Sequence, residues 1–209
     1  MNTDDWDIFY KYKQATKVRP NLVYVPRINK DKTIMCMDYN VDKRYFFDRP
    51  LYNNDIASYF FQNELQWIEH YKNESFIPEI IEVDKINKKI FFKWYNSSLN
   101  HIIFEKKFNN TLIQPIKDLL VKLEQTVYKI NYYPHTMYLD GNNNIKMHDF
   151  YGCVSKANYY LPIDMIRPIL GKMDIWRFGQ YEKDGLVNMH EVYKMIFQVN
   201  SGEWPFGIK

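Results

Sequence analysis

Asp149 and Thr136 are the side chains of this chain best suited to chemistry. Thr136 to Asp140 and Ile145 to Asp149 read as two strands joined by Gly141-Asn142-Asn143-Asn144, the composition of a β-hairpin turn. With Asp140 facing Ile145 across the turn, Thr136 falls opposite Asp149, and Tyr138 opposite Met147. A carboxylate and a neutral oxygen then share one end of a rigid ribbon, and such hard donors suit magnesium. His135 adjoins Thr136 and is the type of residue that titrates near neutrality, as a base or a phosphate contact. Strand alternation turns His135 to the face opposite Thr136, and His148 away from Asp149. Asn131 offers no carboxylate to accept a proton, but it can orient a hydroxyl. His135, His148 and Asp140 lack the spacing of a zinc site. The plainer reading of the same stretch is a surface hairpin that ends in an aspartate.

The elements around the hairpin must position these groups. Asp55 to Lys72 reads as a helix capped by Asn54 or Asp55, with Ile56, Phe60, Trp67, Ile68 and Tyr71 on one stripe. Glu64 falls on that stripe, where a carboxylate is costly unless a cation or hydrogen bonds compensate it; the alternative is a boundary residue reaching to solvent. Ahead of the helix, Leu22 to Val25 and Thr33 to Tyr39 have strand character and are joined by Arg27 to Lys32. After it, Pro78 to Val83 and Lys88 to Tyr95 form a second hairpin about a polar turn, Asp84 to Asn87. Ser97 or Ser98 can cap a short helix through Ile103. Asn109 to Tyr128 contains a longer helix, with Pro115 in its first turn and Ile116, Leu119, Leu120, Leu123 and Val127 buried. An irregular arm precedes the strands, and a last amphipathic helix is expected over Met189 to Gln198.

In this order, strands, helix, hairpin, linker, helix and an Asp-ended hairpin, the chain resembles the protein-kinase-like phosphotransferases. Pro134, Thr136 and Asp149-Phe150 sit at the spacings of that family's catalytic and metal-binding loops. The resemblance implies an α+β, two-lobed fold: residues 1–95 as a small antiparallel sheet plus helix 55–72, and residues 96–209 as a truncated, mainly helical lobe holding hairpin 136–149. It further implies ATP and magnesium between the lobes, with Asp149 and Thr136 as metal ligands and Asn131 and His135 beside the transferred group. Glu64 would order a basic residue, Tyr95 would lie in the hinge, and Lys32 would stand in for the phosphate-holding lysine. Three departures weigh against the chemistry. Asn131 replaces the catalytic Asp, Thr136 the metal-binding Asn, and Tyr151 is inserted before Gly152. No glycine precedes Gly141, so the Gly-rich phosphate loop is absent and side chains such as Arg27, Lys30 or Lys32 would have to replace its amides. On Thr33 to Tyr39 the inward positions read as Met and Asp rather than Lys, with Lys32, Lys43 and Arg44 as nearby substitutes.

Composition bounds the alternatives. With 209 residues, 46% of them hydrophobic and 18% aromatic, the chain can bury a core dominated by large rings. A net charge of +3 demands no nucleic-acid partner, and Asp31, Asp38, Asp42 and Asp48 dilute the basic N-terminal portion. Cys36 and Cys153, far apart and without metal spacing, point to a reducing compartment. No apolar run approaches the roughly 20 residues that span a bilayer, so a cytoplasmic protein with no membrane partner is expected. Richness in Asn, Lys, Ile and Tyr hints at an AT-rich source such as a phage or virus. Two functions remain: a phosphotransferase acting on a protein or small-molecule acceptor, and a pseudokinase that keeps the fold to bind a protein.

Overall fold

The computed structural model describes residues 1–3, 5–8, 24–40, 54–95, 97–105, 107–128, 136–155, 160–162, 182–183 and 186–188. Five antiparallel strands, β1 (Asp7–Ile8), β2 (Val25–Ile28), β3 (Ile34–Asp38), β4 (Ile80–Asp84) and β5 (Lys89–Lys93), form one sheet in the order β1-β2-β3-β5-β4. The first hairpin turns at Asn29, later than the sequence suggests, so Arg27 and Ile28 belong to β2. The Asn29 side-chain oxygen accepts from Thr33 and Ile34 N–H at 2.8 and 2.9 Å and closes the turn there.

Residues facing each other across a ladder share a side of the sheet. Met35 pairs with Phe92 and Met37 with Ile90, giving a wholly apolar face. Asp38 lies on the other side, with Arg27 Nε at 3.3 Å and Lys89 Nζ at 3.7 Å from its Oδ2. The expectation that Met and Asp share the inward face is therefore corrected, because the period of 2 that puts Met35 and Met37 together sends Asp38 to the opposite face, where it is also buried.

Helix α1 (Asn54–His70) buries Ile56, Ala57, Phe60, Phe61 and Glu64. It docks on the segment after Asp149: Asn63 Nδ2 donates to the carbonyls of Tyr151 and Cys153, both at 2.8 Å, and Phe60 packs against the Tyr151 ring. Beyond the sheet, β6 (Ser97–Ser98) leads into α2 (Leu99–Phe104), where Ser98 Oγ accepts from His101 N–H at 3.1 Å as an N-cap. A 3₁₀ turn at Asn110–Leu112 precedes α3 (Ile113–Thr126). Ile116, Leu119 and Leu123 of α3 meet Tyr71, Phe76, Met137, Met147 and Phe150 in a second core. Burial of each such aliphatic side chain contributes about 1.5–3 kcal/mol. Small antiparallel pairings complete the described residues: β7 (Val127–Tyr128) with β10 (Val154–Ser155), and β11 (Tyr160–Pro162) and β12 (Glu182–Lys183) on either side of β13 (Leu186–Asn188). The N-terminal arm from Phe9 to Pro20 and the helix expected over Met189 to Gln198 lie outside the described residues.

The central hairpin is β8 (Met137–Leu139) and β9 (Ile145–Met147), with β6 on its other edge. Its register is one residue from the expected one: Met137 faces Met147, Tyr138 faces Lys146 and Leu139 faces Ile145. Asp140 causes the shift. Its carboxylate accepts the N–H groups of Asn142 and Asn144, both at 2.9 Å, while its own N–H donates to the Asn144 carbonyl at 3.0 Å, so the turn closes between residues 140 and 144. In that turn Asn143 takes the left-handed conformation, with φ 63°. Thr136 consequently lies across from His148, whose N–H reaches the Thr136 carbonyl at 3.3 Å, and not from Asp149.

Candidate functional site

Past Met147 the chain leaves the ladder, and Asp149 adopts φ 71°. A non-glycine residue is rarely held there without compensating contacts, and such strain concentrates at functional positions. The turn it produces sends Phe150 into the second core, against Tyr71 and Phe76, and the Asp149 carboxylate toward the sheet. Asp149 is only 2% exposed. The Tyr24 hydroxyl, from just before β2, donates to its Oδ1, and His148 Nδ1 lies 2.7 Å from the same oxygen. His148 was expected to face away from Asp149; the left-handed turn brings the two neighbours together instead.

Rings enclose this trio. Tyr24 packs against Tyr39 and Tyr151 at 5.3 and 6.0 Å between centroids. Tyr138 stacks on His148 at 5.1 Å and 24°, Phe92 meets His148 at 5.3 Å, and Trp94 stands edge-on to Tyr138 at 5.3 Å. Burial pushes the Tyr24 hydroxyl well above its usual range, and the Asp149 charge and hydrogen bond push it the same way. Tyr138 is raised likewise, by burial first and then by Asp149. Both phenols are therefore neutral at physiological pH, and that of Tyr24 serves as the donor to Asp149. At the link to the second half of the chain, the N–H groups of Lys93 and Trp94 are taken by the carbonyls of Glu79 and Thr33 at 2.9 and 2.7 Å.

Comparison with solved structures decides what this framework is. The chain is similar to the bifunctional kinase-methyltransferase WbdD, with a TM-score of 0.51 at 11% identity over 80% of this chain and 37% of that one. It is also similar to monomeric WbdD, with a TM-score of 0.50 at 9% identity over 95% and 46% of the two chains. The fold is protein-kinase-like. A Rio2 kinase in an ADP/Mg2+-phosphoaspartate complex from Chaetomium thermophilum is matched at a TM-score of 0.40 and 12% identity, over 82% of this chain and 57% of that one. This chain spans less than half the length of the WbdD chains. No family model and no curated protein matches it.

Within the kinase-like fold, Glu64 is fully buried on the inner side of α1, as its stripe position implies, and Thr136 is fully buried at the start of the hairpin. Tyr95 lies at the link, where its hydroxyl accepts from Glu79 N–H at 3.3 Å. Lys32 is exposed in the Asn29–Thr33 turn, with φ 53°. Asn131 and His135, together with Lys43 and Arg44, lie outside the described residues.

Magnesium fits this set poorly. Asp149 Oδ1 already takes the Tyr24 hydroxyl and lies 2.7 Å from His148 Nδ1, so a magnesium ion at that oxygen would compete with both, in a carboxylate only 2% exposed. Tyr138 was placed in the hairpin from the sequence but not in the site, and no local signal could have found Tyr24, since the Tyr24–Asp149 contact joins residues 125 apart. Among the described residues, no helix is long and apolar enough to cross a membrane.

Proposed function

We propose that this chain is a pseudokinase, a kinase-like module with lobes at residues 1–95 and 96–209 that works in the cytoplasm by engaging a protein partner. One observation carries the reading. The carboxylate that would hold magnesium is buried and its Oδ1 is engaged by Tyr24 and His148, which makes Asp149 a link between sheet and hairpin. The absence of glycine before Gly141 and the engaged N–H groups of Lys93 and Trp94 agree with it, because the first hinders close approach of backbone to a phosphate and the second withdraws two backbone donors.

A second reading, an ATP- and magnesium-dependent phosphotransferase, draws on the left-handed backbone of Asp149 and the buried Glu64. In it Asp149 and Thr136 would bind metal, Asn131 and His135 would serve the transferred phosphoryl group, and Glu64, Lys32 and Tyr95 would serve the nucleotide. Tyr24 would have to release Asp149 first.

Calorimetric titration of the native chain with ATP, with and without magnesium, separates the two. The pseudokinase reading expects no magnesium-dependent heat up to about millimolar ATP. Metal-dependent binding that Asp149→Asn abolishes would overturn it in favour of the enzyme.

A further inference from the structure

On the outer side of the link between the two halves, away from Asp149, lies a groove of about 570 Å³. That is within the roughly 300–1,000 Å³ of small-molecule sites. The end of the sheet supplies Glu79 and Lys93, the link supplies Trp94 and Tyr95, and the central hairpin supplies Asp140 and Lys146.

The walls are fixed before any ligand arrives. The Trp94 ring is held edge-on by Tyr138, and the Tyr95 hydroxyl by Glu79 N–H. Lys146 Nζ donates to the Ser75 carbonyl at 2.6 Å, and Asp140 is held by the turn it caps. Gly141 also lines the groove, and a Cβ built on it would meet nothing within 4 Å, so a larger side chain is accommodated there.

The charges define the ligand. Two carboxylates and two ammonium groups line the groove, and each is matched within it, Lys93 to Glu79 at 3.4 Å and Lys146 to Asp140 at 3.9 Å. The four charges sum to zero, so the groove offers neither an anion nor a cation a net attraction. Neutral hydroxyls need none, since each can donate to a carboxylate and accept from an ammonium group. The two aromatic side chains provide apolar surface for C–H groups beside polar tips. We propose that this groove binds a neutral polyhydroxylated molecule of the saccharide class. The site stands whether or not Asp149 is catalytic.

Saturation-transfer NMR on the full chain tests it, with maltose, cellobiose, lactose and trehalose as neutral probes, and glucosamine and glucuronate as charged ones, each at about 10 mM. At least one neutral disaccharide is expected to bind, and more tightly than either charged sugar. Gly141→Leu, which adds bulk to the lining, is expected to weaken that binding at least about tenfold with an unchanged melting temperature. Trp94→Leu, which removes the aromatic wall, is expected to weaken it as much. The proposal is overturned if no neutral probe binds, if a charged sugar binds better, or if both variants bind like the native chain.

Discussion

The link between the two halves of the molecule has an inner and an outer side, and both carry aspartates of the same hairpin. On the inner side Asp149 is buried, held in a left-handed turn, and its donors are side chains, one of them from a residue far away in sequence. On the outer side Asp140 meets solvent and its donors are the amides of its own turn. Burial is the largest single influence on the Asp140 carboxyl and raises it, but the hydrogen bonds from Asn144 and Asn142 and the Lys146 charge together outweigh it and hold it below the usual range. A carboxylate satisfied by its own turn leaves its neighbours free to shape a binding surface. One satisfied by tertiary partners becomes a piece of what joins the lobes. The inner side is therefore where substitutions should cost stability, and the outer side where they should cost binding.

The sharpest way to break that contrast is Asp149→Ala. Removing the carboxylate leaves the Tyr24 hydroxyl and His148 Nδ1 buried with no acceptor at that point, and places alanine in a left-handed turn. A loss of about 3–5 kcal/mol in urea unfolding is expected. Asp149→Asn keeps an acceptor oxygen and tolerates the backbone, so it should lose roughly 1–2 kcal/mol. If Asp149 were primarily a metal ligand, its removal would relieve strain, and an unchanged or raised stability of Asp149→Ala would refute the structural role.

Tyr24→Phe comes next in size. It deletes one donor to Asp149 while keeping the ring against Tyr39 and Tyr151, for an expected loss of about 1–3 kcal/mol in the same measurement. The same residue sets an alkaline limit. The folded-state pKa of Tyr24 lies above its unfolded value, so its contribution is complete below about pH 10 and is lost as pH rises beyond that. Tyr138 acts in the same direction. Melting temperature should fall above about pH 10, and less steeply in Tyr24→Phe; parallel slopes in the two proteins would show that Tyr24 is not the titrating group.

How much of this could be read from the sequence depends on the range of the interaction. Glu64 was legible because a helix repeats every 3.6 residues and its stripe was already marked by Ile56, Phe60 and Trp67. The Ser98 cap was legible because a cap needs only its own next three residues. The framework of strands, helices and hairpins followed from the same local periods. The hairpin register was not legible, since Asn142 and Asn144 bond to the Asp140 side chain and move the closing pair by one residue. The His148–Asp149 contact was hidden for a related reason: alternation holds only inside the ladder, which Asp149 has left. Tyr24 could not be found at all, because a hydroxyl that reaches across the fold leaves no periodic trace.

The smallest effect is expected on the outer side, where it sharpens the comparison most cleanly. Lys93 and Glu79 form an ion pair at 3.4 Å with side chains 56% and 66% exposed. Water and salt screen such a pair, and ordering two long side chains offsets most of the attraction, so Lys93→Ala should change stability by no more than about 0.5 kcal/mol. Its consequence should appear in the groove instead. With Lys93 gone, Glu79 stands unmatched and the lining becomes net negative, which favours cationic ligands over neutral ones. In Lys93→Ala, glucosamine should gain affinity relative to the neutral disaccharides by about two- to fivefold at low salt, and the gain should fade as salt is added. A stability loss of several kcal/mol with no change in ligand preference would mean that the outer side, like the inner one, is built to hold the lobes together.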